Sequence, residues 1–161
     1  SLRLNMNEEG VRVFLSYSQK DQALVDQLMA YLAALELRGE IQFWHEHQIE
    51  AGMDWGNAIL SALDSADIIL LVLSPYFLAS IYSRIEVEEA LQRHKAGQAF
   101  LIPVLLSPVM FSPFDDIQGS PRNGRPITTW ESKDEAFLSV ARDIQGVAER
   151  LRAKTIISDV K

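Results

Sequence analysis

Ala66-Asp67-Ile68-Ile69-Leu70-Leu71-Val72-Leu73-Ser74-Pro75, with Tyr76 to Leu91 (YFLASIYSRIEVEEAL) behind it, is the stretch whose reading decides the fold. Ile68 to Leu73 is a short, unbroken apolar run closed by Ser74-Pro75, the pattern of a strand buried on both faces. Past that turn the spacing predicts a helix from about Ser80 to Ala96, ending before Gly97. Tyr82 and Glu86 are four apart in it, so they share one helix face, one turn apart. An aromatic ring and a carboxylate then stand just beyond the C-terminal end of a central strand, where open α/β sheets bind their ligands.

Outward from this stretch, strands and helices alternate. Val11 to Tyr17 (VRVFLSY) reads as the first strand. The next helix runs over Asp21–Glu36, where Leu24, Leu28, Tyr31, Leu32 and Leu35 recur at helical spacing; Ser18 or Asp21 caps it and Gly39 stops it. Ile41 to Trp44 is a short second strand. His45 to Asp54 is a polar loop leading to a helix over Trp55–Ser65. Phe100 to Leu106 is a fourth strand whose Pro103 places it near an edge or a bulge. Ser107 to Pro126 is a long loop, Ile127 to Trp130 a short fifth strand, and Lys133 to Arg152 the last helix. Phe137, Leu138, Ala141, Ile144, Ala148 and Leu151 form the inward face of that helix. This rhythm implies an α/β, flavodoxin-like three-layer fold: a five-stranded parallel sheet of order 2-1-3-4-5 with helices on both faces. Its switch point lies between strands one and three, where Tyr17–Lys20 and Ser74–Tyr82 meet.

The 161 residues suit one domain with a sizeable core. Residues 11–153 form that domain; 1–10 read as an N-terminal extension with a Ser1-Leu2 tag remnant, and 154–161 as the stub of a severed linker. Composition is that of a globular protein, 48% hydrophobic with mean hydropathy +0.01. No leader pattern or membrane-length apolar run is visible, so a cytoplasmic protein is expected. The chain has no cysteine, which removes disulfides, thiolate catalysis and Cys-type zinc sites. A net charge of −7 argues against nucleic acid or an anionic membrane surface as partner.

Several chemistries fail on the residues. A phospho-acceptor site needs an Asp at the end of strand three, where Leu73-Ser74-Pro75 stands. There is no G-x-G-x-x-G after strand one, no G-x-x-x-x-G-K-[ST] and no G-x-S-x-G. His45-Glu46-His47 reads as polar loop residues, so no metal site is expected. Trp44 and Trp130, at strand ends, read as core, and Trp55 as a helix-start staple. Glu86, near Glu88, Glu89 and Arg93, reads either as a solvated or paired helix residue or as a site carboxylate.

At this point four stretches resemble one family in order and at its spacing. Val13-Phe14-Leu15-Ser16-Tyr17-Ser18 looks like the first box of TIR domains, and Phe43 to Trp55 looks like their second strand and BB loop. Ala66 to Phe77 resembles the third strand and its exit. Ala79 to Glu86 is similar to the Ser-x-Trp-Cys-x-x-Glu signature. The likeness spans about Val11 to Leu151 and is nearest the bacterial style of TIR domain. Here Tyr82 replaces the usual Trp, Ser83 the usual Cys, and Ala51 a frequent Pro, while Glu46 stands where Asp is common.

The resemblance implies one of two activities: cleavage of NAD+ at the nicotinamide–ribose bond, or homotypic adaptor assembly without catalysis. For the first, Glu86 is implied as the catalytic carboxylate. NAD+ enters as substrate, with no cofactor and no metal. Ser16, Tyr17, Ser18, Gln19, Tyr82 and Trp55 are implied as substrate contacts. The BB-loop residues Ile49, Glu50, Ala51, Gly52, Met53 and Asp54 are implied in assembly with other TIR domains. Immune signalling against phage is the role that the bacterial likeness suggests.

Overall fold

Every residue of strand β3, Ile68–Leu73, is buried. The computed structural model describes residues 10–44, 49–81 and 84–160, the side chains of 155–160 excepted. β3 lies inside a four-stranded sheet of order β2-β1-β3-β4, with β1 Val11–Ser16, β2 Ile41–Phe43 and β4 Phe100–Leu105. All three pairings are parallel; Val13 of β1 stands opposite Phe43 and Ile68, and Leu73 opposite Leu105. The pleat of β3 sends Ile68, Leu70 and Val72 to one core and Ile69, Leu71 and Leu73 to the other. Each such side chain contributes roughly 1.5–3 kcal/mol by leaving water.

Helices cover both faces. Against the first core lie α1, Gln22–Leu37, through Val25, Leu28, Leu32 and Leu35, and α5, Lys133–Val160, through Phe137, Val140, Ala141 and Ile144. Against the second lie α2, Trp55–Ser65, α3, Pro75–Ala79, and α4, Ile85–Lys95, through Ile59, Leu63, Phe77, Val87 and Ala90. α1 stops where Gly39 takes φ +74; Gly39 N–H donates to Glu36 O and Glu40 N–H to Leu35 O, the paired bonds of a Schellman end. α2 starts on Asp54, whose carboxylate accepts Asn57 N–H at 3.1 Å.

Three expectations are corrected. The helix expected from Ser80 is two helices. Ser74-Pro75 is a helix start, with Ser74 Oγ accepting Phe77 N–H at 3.1 Å and Pro75 in the first turn. That short helix ends when Ser80 Oγ bonds back to Phe77 O at 3.1 Å, and α4 begins only after the extended Arg84. The expected fifth strand, Ile127–Trp130, is a 3-10 turn over Ile127–Thr129, closed by Thr129 Oγ1 on Pro126 O at 2.7 Å. Ile127 is anchored in the first core instead of in a ladder. The third concerns α5: it runs past Arg152 to Val160, and Leu138 is 37% exposed, off the buried stripe.

The outer edge of β4 therefore has no strand beside it among the described residues, only an isolated bridge to Ser120. Ser120 N–H donates to Pro103 O and Ser120 O accepts Leu105 N–H, while Leu101 N–H points at His94 Nδ1, 3.4 Å away. Pro103 is thus tolerated at an edge.

Candidate functional site

Ser16 ends β1, and the chain then turns through a 3-10 element, Gln19–Asp21, into α1. Ser18 caps that turn by accepting Lys20 N–H at 3.3 Å. The turn's last residue, Asp21, is buried and accepts a 2.5 Å hydrogen bond from Ser74 Oγ. The same hydroxyl caps α3. One side-chain pair thus ties the loop after β1 to the loop after β3, across the switch point.

Glu86 sits in the first turn of α4, where the partial positive charge of a helix start favours a carboxylate. It is 9% exposed, and Ser16 Oγ lies 3.5 Å from its Oε2, a contact at the long limit for a hydrogen bond. Arg93, the nearby cation in the sequence, is spent elsewhere: it donates to the carbonyls of Leu63, Ala66 and Gln98 at the end of α2 and the start of β4. No ion pair reaches Glu86 among the described residues.

Glu86 lines a cavity of about 380 Å³ together with Ser16, Tyr17, Gln19, Trp44 and Arg84, a volume within the usual range for small-molecule sites. Its walls are braced. Tyr17 OH donates to Gln22 Oε1 at 2.9 Å, and Gln22 Nε2 to Asp26 Oδ1 at 2.7 Å. Trp44 stacks on Phe14 with ring centres 5.5 Å apart. Arg84 donates from Nε to Ser80 Oγ at 2.8 Å and lies 4.5 Å over the Phe77 ring. Larger cavities occur, one of about 560 Å³ between Trp44, Ile49, Met53 and α2 and one of about 620 Å³ beside β4. Neither collects a buried carboxylate at the carboxyl end of the central strands.

Ser16, Tyr17, Gln19 and Glu86 are brought together. Ser18 is buried and used up in its cap, away from the cavity lining. Trp55 is 55% exposed at the start of α2 and does not line the cavity. Tyr82 and Ser83, like His45, Glu46, His47 and Gln48, lie outside the described residues. In the BB loop, Met53 N–H donates to Glu50 O with Gly52 at φ +91 between them, a turn in which the third residue needs the left-handed region. Glu50 to Asp54 are exposed, while Ile49 packs on the second core. The described residues hold no cluster of three metal-ligating side chains.

Several lining residues are not singled out by the sequence, among them Trp44, Arg84 and the α1 residues Gln22 and Asp26. With Ile41 and Phe43 inward in β2, alternation puts Trp44 on the opposite side of the strand's carboxyl end. Arg84 stands two residues before Glu86, at the helix cap.

Comparison with known proteins identifies the family. A family model described as the TIR domain matches residues 13–141. An uncharacterized protein of Sinorhizobium fredii is 42% identical over 142 residues, which cover 86% of this chain; the chain spans 44% of that relative's length. Among solved structures, the TIR domain of a Toll-related receptor from Hydra magnipapillata is 20% identical, with a TM-score of 0.48 over 65% of this chain and 78% of that one. The TIR domains of the activated Roq1 resistosome are 17% identical, with a TM-score of 0.45 over 94% and 100%. With the family model covering most of its length, this chain belongs to the TIR domain family.

Proposed function

We propose that this chain is an NAD+ glycohydrolase that cleaves the nicotinamide–ribose bond, with Glu86 as its catalytic carboxylate. The observation that carries the reading is the buried Glu86 facing a cavity at the end of β1, beside Ser16 and without a cation paired to it among the described residues.

In the reaction the bond from ribose C1′ to the pyridinium nitrogen breaks, and its electron pair goes to nicotinamide, which leaves neutral. Water adds at C1′ and releases a proton to solvent; in a cyclising variant a nucleophile within ADP-ribose takes the place of water. The transition state is oxocarbenium-like. Glu86 stabilises that growing positive charge more than it stabilises the neutral ribose, which is differential binding. Tyr17 and Trp44 offer ring faces, and the polar Ser16–Gln19 segment meets the sugar and phosphates. NAD+ is a substrate in this reading, and no bound cofactor is invoked.

The partners proposed are NAD+ and further TIR domains joined through the BB loop, in bacterial immune signalling in the cytoplasm. Exposed Met53 and Trp55, beside the cavity between Trp44 and α2, support a self-association surface there. No helix among the described residues is long and apolar enough to cross a membrane. A second reading, a silent adaptor, rests on that same exposed surface.

Nicotinamide release from NAD+, followed by chromatography at rising protein concentration, separates the two. Wild type is expected to release it and Glu86→Gln to lose at least about 10²-fold in rate. Full activity in Glu86→Gln, with a circular dichroism spectrum like wild type, refutes the role of Glu86. A folded, self-associating wild type without release points to the adaptor.

A further inference from the structure

We propose that Arg84 makes this site selective for substrates carrying a diphosphate bridge, a reading that rests on the NAD+ cleavage proposed above and adds a second functional residue to it. Three charged side chains line the cavity: Asp26, Arg84 and Glu86. Two are carboxylates, which suit a pyridinium ring and a developing ribose cation. Phosphates brought into the same space meet repulsion from both, and Arg84 is the group in the lining that reverses it.

Its guanidinium is pre-organised. Nε is held by Ser80 Oγ at 2.8 Å, and Cζ lies 4.5 Å from the ring centre of Phe77, a residue with 0% exposure. An arginine has five N–H donors in a rigid fork. With Nε engaged, the terminal edge still presents the paired donors that match a phosphate, and no described residue takes a hydrogen bond from them. A charge already fixed by stacking loses little rotamer freedom on binding, so more of the interaction appears as affinity.

Position supports the pairing of roles. Arg84 is the cap and Glu86 the second residue of α4, so their Cα atoms are at most about 7 Å apart. In NAD+ the scissile C1′ and the phosphate-bearing C5′ lie on opposite sides of one ribose. Both side chains line one cavity, so a carboxylate and a cation are both available there to a single bound sugar phosphate.

The test compares NAD+ with nicotinamide riboside, which has the same scissile bond and no phosphate. Initial rates of nicotinamide release give kcat and KM for wild type, Arg84→Gln and Arg84→Lys, and titration calorimetry gives the Kd of ADP-ribose. Arg84→Gln is expected to raise KM for NAD+ and the Kd of ADP-ribose about 10- to 100-fold, the scale of a charge-assisted bidentate contact. Its effect on kcat/KM is expected to be at least about 10-fold smaller for the riboside, which has no phosphate for Arg84 to meet. Arg84→Lys keeps the charge but not the fork, and falls between. A parallel loss for NAD+ and the riboside, or an unmoved KM for NAD+, overturns the proposal. If wild type releases no nicotinamide from either compound, the NAD+ cleavage reading fails. ADP-ribose binding then decides Arg84 by itself: weaker binding in Arg84→Gln sustains it, and equal or undetectable binding in both refutes it.

Discussion

Removing the Ser74 hydroxyl should do more damage than a single buried serine normally does. Ser74 has 0% exposure, and its Oγ donates to the buried Asp21 carboxylate at 2.5 Å while accepting Phe77 N–H at 3.1 Å. Ser74→Ala therefore deletes a helix cap, typically 0.5–2 kcal/mol, roughly 1 here because α3 is short. It also leaves a buried carboxylate short of a donor, about 1.5–3 kcal/mol. The total is roughly 2.5–4 kcal/mol, which for a chain of this length lowers Tm by about 5–15 °C. Urea unfolding followed by tryptophan fluorescence reads it directly, and a cycle with Asp21→Ala isolates the pair. A coupling of about 1.5–3 kcal/mol is expected, since contacting groups are not additive. Additivity within about 0.5 kcal/mol would refute the claim that this bond clamps the two site loops. Ser74→Thr, which keeps the hydroxyl, should recover most of the loss.

Gly10 has φ +82, and a Cβ there meets Gly39 O at 2.6 Å; Gly10→Ala should cost more than about 1 kcal/mol in urea unfolding. Gly146, inside α5 with nothing within 4 Å of a built Cβ, should behave oppositely, Gly146→Ala adding about 0.5–1 kcal/mol. Ala51 precedes Gly52 in the Glu50–Met53 turn, the position where proline is pre-organised, so Ala51→Pro should add about 0.4–1 kcal/mol and strengthen self-association in sedimentation. Tyr31 has its pKa raised above 10.0, by desolvation first and then by the hydrogen bond and charge of Asp134. Its neutral form is favoured in the fold, so its contribution is intact below pH 10 and is lost as pH rises through the higher folded value. The difference between wild-type and Tyr31→Phe phenolate absorbance titrations should therefore place its midpoint above that of free tyrosine.

What was legible in the residues was whatever depends on local pattern. The unbroken Ile68–Leu73 run, the helical spacing of α1 and the Gly39 stop each announce themselves through burial period or backbone freedom. The order of the first four strands followed from the alternation of elements. Ser74-Pro75 reads as a turn from sequence although Ser before Pro is equally a helix start; which one forms depends on Asp21, fifty-three positions away, accepting the hydroxyl. Ile127–Trp130 has strand-like residues, but Pro126 and the Thr129 side chain close a tighter turn over it. In the site, Ser16 and Glu86 could be paired from topology. Alternation and the cap position put Trp44 and Arg84 near the site, but what fixes their side chains is stacking on Phe14 and Phe77, contacts that no spacing rule encodes.

The bare flank of β4 bears on how concentrated this protein can be without precipitating. A strand edge with open donors is a template for indefinite fibrous growth. Here Leu101 N–H is met by an imidazole, Pro103 has no N–H to give, and Leu105 N–H is taken by Ser120. Crowded copies of this domain therefore meet no open ladder along this flank, and the sheet itself declines to recruit.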